Sequence, residues 1–335
     1  MAYTITITSN SPQALAFVEY VKTLSFVKFT ETQSKEKAPA KAKAKAGLAK
    51  PEPATLSKKE ETFKKKFLKA LQETADVRAG KKEAIPFEDF INVIFNHKKV
   101  EISPETEKIV SDSYHFLKEF SKNKVIYGVN TGFGPMAQYR IEDKDQLALQ
   151  YNIIRSHSSG MGAYFSPEIV KSAILCRLHT LSLGKSGVHP SLIHLMKELI
   201  NRDITPLIFQ HGSVGASGDL VQLAHLALVL IGEGEVFYKG KRRPTQEVFA
   251  EEGLSPLKIH LREGIALMNG TSVMTGIAAV NIHYAQLLLD WSVKLSVAIN
   301  ELVQTYDDHF SQELNAAKKH HGQQLIAQRM RNYLV

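Results

Sequence analysis

Across residues 274 to about 310 no proline interrupts the chain, and the apolar positions Ile277, Val280, Leu287, Leu288, Trp291, Leu295, Val297 and Ile299 recur at helical spacing on more than one stripe. One apolar stripe suits one neighbour, so a helix with several stripes needs several. A bundle is therefore expected, with a long helix of the kind that often crosses between subunits. The upstream segments agree. Residues 87–95 and 106–120 carry apolar residues at helical spacing, and 167–181 with 190–200 read as a helical hairpin around Gly184-Lys185-Ser186-Gly187. Residues 220–231 are apolar nearly all round, which marks a helix buried on every side. The fold class expected is mainly α, with the site carried on the loops that join the helices.

A net charge of +8 would suggest nucleic acid or an anionic membrane as partner, but residues 1–84 hold 17 Lys and Arg against 9 Asp and Glu while 85–335 hold 25 of each. The main body is neutral, and no nucleic-acid partner is expected for it. Residues 1–34 read as a small βα module of unknown role: 3–9 alternate with period two and 12–27 are amphipathic. Residues 35–57 are a Lys/Ala/Pro-rich linker that cannot bury enough apolar surface to fold, and 58–84 a basic helical segment ended near Gly80. The N-terminus lacks the basic and apolar regions of a signal peptide, and residues 220–231 are too short to span a bilayer, so no membrane partner is expected. Cys176 is the only cysteine, which excludes an intramolecular disulfide and suits a reducing, cytoplasmic setting.

Three segments break the helical pattern: Tyr127-Gly128-Val129-Asn130-Thr131-Gly132-Phe133-Gly134-Pro135, His211-Gly212-Ser213-Val214-Gly215-Ala216-Ser217-Gly218-Asp219 and Met268-Asn269-Gly270-Thr271-Ser272. Glycine permits positive φ and close backbone approach, the properties of ligand cradles and strained turns. None of the phosphate-loop, dinucleotide, zinc-protease or nucleophile-elbow patterns fits, and His211 and His225 lack the paired spacing of metal ligands. Neither a metal nor a nucleotide is expected. On residue types alone, Gly215 to Gly218 reads as well as a tight turn opening the next helix.

The context Gly215-Ala216-Ser217-Gly218-Asp219-Leu220 resembles the signature of the histidine and aromatic amino acid ammonia-lyase family, and the other two loops match that family in the same order. The resemblance runs from about Phe87 to the chain end and sits closest to bacterial tyrosine ammonia-lyases. It implies the mainly α, L-aspartase-like fold with a loop-borne site, assembled as a homotetramer. It also implies a 4-methylidene-imidazol-5-one (MIO) group formed autocatalytically from Ala216, Ser217 and Gly218. Gly218 would present its amide nitrogen to the Ala216 carbonyl in a turn that a side chain would obstruct, and Ser217 would lose water to leave an alkene. Tyr127 matches the family's base; a phenol ordinarily titrates near about 10, so it needs help from its surroundings at neutral pH. Asn269 matches a residue that bonds cofactor and substrate, Gly134 falls in the substrate-binding loop, and Ser156 with His157 match the pair that sets substrate choice. The resemblance thus implies elimination of ammonia from an aromatic L-amino acid, tyrosine to p-coumarate foremost, with histidine to urocanate or an aminomutase reaction as alternatives.

Family members continue through a second half that supplies an arginine for the substrate carboxylate and a second tyrosine. Against that pattern, residues 85–335 read as the N-terminal and core region of the fold, incomplete at the C-terminus, with 1–84 as an extension. A reading of another class follows from the shortfall: an inactive lyase-derived fragment acting as an interaction protein.

Overall fold

The computed structural model describes residues 85–122, 124–215 and 218–334. The module at 1–34, the linker at 35–57 and the basic segment at 58–84 lie outside the described residues.

Helix starts follow local chemistry. The first helices are α1 (Phe87–Phe95) and α2 (Pro104–Ser121). Ser103 caps α2, its hydroxyl accepting from the Thr106 amide at 3.1 Å, with Pro104 at the first helical position and Glu105 and Glu107 in the first turn. Each of these satisfies or complements the exposed amides of a helix N-terminus. Helix α3 (Asp143–His157) has Asp143 and Asp145 in its first turn and Arg155 and His157 in its last, the favourable order for the macrodipole. It was not evident from periodicity. The expected hairpin forms as α4 (Pro167–Ser182) and α5 (Pro190–Asn201), and Gly184 and Gly187 at the break both take positive φ.

Five short strands follow the same region: β1 (Met161–Tyr164), β2 (Thr205–Pro206), β3 (Phe209–His211), β4 (Glu235–Tyr238) and β5 (Lys241–Pro244). β1 pairs with β3, and β2, β4 and β5 form an antiparallel sheet in that order. Between them α6 (Leu220–Leu230) is buried on nearly every side, including Gln222 and His225. Each makes one bond: Gln222 Nε2 donates to the Gln210 carbonyl at 3.2 Å, leaving its Oε1 buried and unpartnered among the described residues, and His225 Nε2 accepts from the Gly160 amide at 3.1 Å. Burial holds His225 below the ordinary histidine pKa, as that acceptor role requires.

After α7 (Thr245–Glu252) and the short α8 (Glu263–Met268), the long helix α9 runs over Ser272–Leu302. It lies against α4 with very small separation: a Cβ at Gly276 would fall 2.8 Å from the Ala173 nitrogen, and Ser172 Oγ donates to the Gly276 carbonyl at 3.0 Å. The helix ends short of the residue 310 that the proline-free run suggests. Gln304 adopts φ +54°, and Thr305 turns back on Asn300, its amide donating to the Asn300 carbonyl at 3.0 Å and its hydroxyl bonding Asn300 Oδ1 at 2.8 Å. Polar side chains thus end the helix where neither glycine nor proline does. A 3₁₀ turn (Asp307–Phe310), α10 (Gln312–Ala316) and α11 (His321–Tyr333) follow, and α11 folds back along α9 with Arg329 paired to Asp290. By length and apolarity the run Glu263–Leu302, α8 and α9 together, would pass as a bilayer span, but half of its most apolar window is buried in packing.

Helices α3, α6 and α8 pack on one another. One loop or terminus of interest leaves from each.

Candidate active site

The loop at Tyr127 is shaped by its own polar side chains. Asn130 Oδ1 accepts from the Ile126 amide at 2.7 Å and its Nδ2 donates to the Lys124 carbonyl at 2.7 Å, while Thr131 Oγ1 accepts from the Gly128 amide at 3.2 Å. Asn130 and Thr131 are both buried, so these bonds replace water rather than compete with it. Gly128 takes φ +74° and sits where a Cβ would be 2.9 Å from Ile265 Cγ2 on α8. Held in this way, the Tyr127 ring stays half exposed, edge-on to Phe133, and its phenolic oxygen accepts from the Gly134 amide at 3.2 Å. Gly134 itself is open, with nothing near its Cβ position.

At the second loop Ala216 and Ser217 lie outside the described residues, and Gly218 resumes the chain. Gly218 takes φ +145°, and a Cβ there would stand 2.8 Å from the Gly270 nitrogen, 3.0 Å from the Gly270 oxygen and 3.4 Å from Asn269 Oδ1. Only glycine enters that conformation in that space. The next residue, Asp219, is buried; its amide donates to the Gly270 carbonyl at 2.7 Å, and its Oδ2 accepts from the Val273 and Met274 amides at 2.9 Å each. It therefore caps α9 rather than α6, stitching the second loop to the third. A cavity of about 190 Å³ beside this stitch is lined by Phe165, Ser213, Gly215, Asp219, Gln222 and Met274.

Ser156 and His157 end α3. Ser156 is exposed and His157 half-buried. His157 Nδ1 lies 2.9 Å from the Ile153 carbonyl and 3.1 Å from Ser156 Oγ. A carbonyl only accepts, so Nδ1 is the donor in that contact, and a ring carrying its single proton there leaves Nε2 as an acceptor.

The structure thus brings the anticipated residues together as three pairs: Tyr127 with Gly134, Ser156 with His157, and Gly218 with Asn269. No hydrogen bond among the described residues joins one pair to another. What ties them is a layer of buried polar residues that sequence patterns did not mark. Fully buried Gln150 on α3 donates through Nε2 to the Gly128 carbonyl at 3.0 Å and accepts from the Ile265 amide at 3.4 Å, coupling the Tyr127 loop to α8. At the start of α8 stands Arg262, an electrostatic neighbour of Tyr127, with its Nε buried and unpartnered among the described residues. Glu263 is wholly buried, accepting from the His189 and His260 amides at 2.7 Å each, and burial pushes its carboxyl up to about 7. At the far end of α8, Arg177 of α4 reaches the carbonyls of Ala266 and Asn269. The only signal available in sequence was a polar residue inside an apolar helical run. Cys176, beside Arg177, is pushed by burial up to about 11, which leaves it a small packing thiol. Among the described residues no cluster of His, Cys, Asp and Glu could hold a metal ion.

The family model described as aromatic amino acid lyase matches residues 85–335. A probable histidine ammonia-lyase of Thermoplasma acidophilum is 38% identical over 249 residues, 74% of this chain and 50% of the relative. A tyrosine 2,3-aminomutase of Myxococcus sp. (strain Mx-B0) is 45% identical over 207 residues, 62% of this chain and 39% of the relative. Among solved structures, a tyrosine aminomutase from Streptomyces globisporus superposes with a TM-score of 0.71 at 33% identity, covering 75% of this chain and 47% of that one. The chain spans about half the length of the curated relatives it matches.

Proposed function

Because the chain belongs to the aromatic amino acid lyase family, we propose that it carries the electrophile-forming part of an enzyme that eliminates ammonia from an aromatic L-amino acid, with tyrosine as substrate and p-coumarate as product. The observation that carries this reading is Gly218, pressed at φ +145° against the Gly270 backbone with Asn269 Oδ1 alongside. That cradle has no room for a side chain, which fits a glycine whose amide nitrogen must approach the carbonyl two residues back. Residues Ala216, Ser217 and Gly218 would hold the methylidene-imidazolone as part of their own backbone, and when formed it supplies the electrophile that ordinary side chains lack.

The chain's own residues supply the rest. Tyr127 oxygen takes the β-proton; the Gly134 amide, donating to it at 3.2 Å, fixes where that oxygen stands. Arg262 adds a half-buried positive charge near the same ring. Asn269 offers its amide beside Gly218 for substrate and cofactor. With Nδ1 of His157 committed to Ile153, Nε2 is left to accept a phenol hydroxyl, and a site that pairs a buried hydroxyl rejects the analogue lacking it. A reducing, cytoplasmic setting and a homotetramer belong to the same proposal.

The aminomutase and histidine-lyase readings draw support from the relatives so named. Product analysis by nuclear magnetic resonance, with the protein offered tyrosine, phenylalanine and histidine, separates them. p-Coumarate should dominate. β-Tyrosine as the main product would make the enzyme an aminomutase, and faster urocanate formation would overturn the choice of tyrosine.

A further inference from the structure

We propose that Arg177 is a positioning residue for the backbone cyclisation at Ala216-Ser217-Gly218, bracing the Asn269–Gly270 backbone against which Gly218 is pressed. The inference rests on the cyclising reading of that tripeptide.

Arg177 is 4% exposed, and no carboxylate pairs with it among the described residues. A buried, unpaired guanidinium is costly, and burial lowers its pKa to about 10, which still leaves it charged at neutral pH. Its neighbours on α4 are the apolar core residues Ala173, Ile174, Leu178 and Leu181, so an apolar side chain would suit the position better as packing. The charge is turned instead on main-chain carbonyls. Nη2 donates to the carbonyls of Ala266 and, at 3.0 Å, of Asn269, oxygens that the end of α8 leaves unsatisfied and partly negative.

Gly270 comes next. A Cβ on it would run into Arg177 Nη1, so the guanidinium lies directly against this peptide. The Gly270 nitrogen and oxygen also stand 2.8 and 3.0 Å from the Cβ position of Gly218, and the Gly270 carbonyl accepts the Asp219 amide at 2.7 Å. The Gly270 peptide is therefore in close contact with both the guanidinium and Gly218. Ring closure joins the Gly218 nitrogen to the Ala216 carbonyl carbon. The Ala216 oxygen leaves as water, with hydrogens from the Gly218 and Ser217 nitrogens. A second water takes the Ser217 hydroxyl and the hydrogen on its Cα. Closure requires the Gly218 nitrogen to be held toward the Ala216 carbonyl, and a wall that yields would let Gly218 relax outward.

The test is intact-mass spectrometry of the 335-residue chain, followed over time after a pulse of cell-free synthesis. The wild-type chain should lose two waters. Arg177→Met should lose them about tenfold more slowly or worse, the effect expected when bonds from a charged donor are removed. Arg177→Lys should recover part of the rate, because an ammonium can still reach a carbonyl. Leu178→Ala, a core change one residue along α4 at a side chain 3% exposed, loosens the same helix while keeping the Arg177 bonds to the Ala266 and Asn269 carbonyls and should cyclise at the wild-type rate. Water loss from Arg177→Met at the wild-type rate would overturn the proposal, as would equal slowing in Leu178→Ala, which would reduce Arg177 to packing. A wild-type chain that loses no water would instead remove the cyclising reading, and this inference with it.

Discussion

Tyr127 illustrates how much a single side chain depends on its neighbours. Its ring is half exposed and its oxygen is located only by the Gly134 amide, whose position follows from a turn closed by Asn130 and Thr131. On the proposed lyase reading, Tyr127→Phe should keep the turn, since no bond that shapes it uses the hydroxyl. Substrate binding should change little while kcat falls by roughly a hundred- to ten-thousand-fold, the usual contribution of a general base; steady-state kinetics would show unchanged turnover if the base were elsewhere. His157 gives the second residue-scale prediction. His157→Phe keeps an aromatic wall but removes the Nε2 acceptor, so the ratio of kcat/KM for tyrosine over phenylalanine should drop. Equal losses for both substrates, measured in competition, would make His157 a packing residue. Tyr127, Gly134, Ser156, His157, Gly218 and Asn269 were all legible as loop or motif residues. Gln150 was not, because its partners Gly128 and Ile265 lie far from it in sequence on either side.

At the scale of elements the short helix α8 concentrates the coupling. Arg262 and Glu263 stand at its start and Asn269 just past its end, so a shift of this one element moves both the Tyr127 loop and the Gly218 wall. Glu263 makes its anchorage pH-dependent. Burial raises the carboxyl from the ordinary 4.5 to about 7, against the pull of two backbone amides. The folded state therefore holds a proton that the unfolded chain releases, and the Glu263 contribution to stability falls as pH rises from about 4.5 to about 7. His189 and His260, packed with Tyr114 around the same site, are held below the ordinary 6.5 by burial, so their contribution grows as pH rises toward neutrality. The measurement is accordingly a difference. Between about pH 4.5 and 7, the unfolding free energy of Glu263→Gln should rise with pH relative to that of wild type, by about 3 kcal/mol in all. Parallel curves from urea titrations at several pH values would show that Glu263 is not the group responsible.

For the whole molecule the outer face of α9 matters most. Leu288, Leu295 and Leu302 recur every seven residues and are 71%, 57% and 83% exposed, with Trp291 between them at 61%. This is an apolar stripe of the kind that normally faces another helix. Bare apolar area costs about 25 cal/mol per Å², so the described chain should associate in solution rather than run as a monomer. Size-exclusion chromatography with light scattering should show multimers that Leu288→Glu combined with Leu295→Glu disperses. A monodisperse monomer of the unmodified chain would count against the reading.

Sequence alone determined the helices whose limits are written locally. Pro104, Pro167 and Pro190 open α2, α4 and α5, and Gly184 and Gly187 break the hairpin, because φ restriction and capping act within one turn of chain. It also determined the three loops, since a run of glycines among helical residues is itself a local signal. Only the tertiary structure decided where α9 stops, that α3 and α8 are helices at all, and which buried polar residues join the loops. The end of α9 depends on Thr305 folding back on Asn300, and the site's framework on Gln150, Arg177 and Asp219 reaching partners remote in the chain. Such bonds are specified by what surrounds them after packing, and periodicity along the chain carries no record of them.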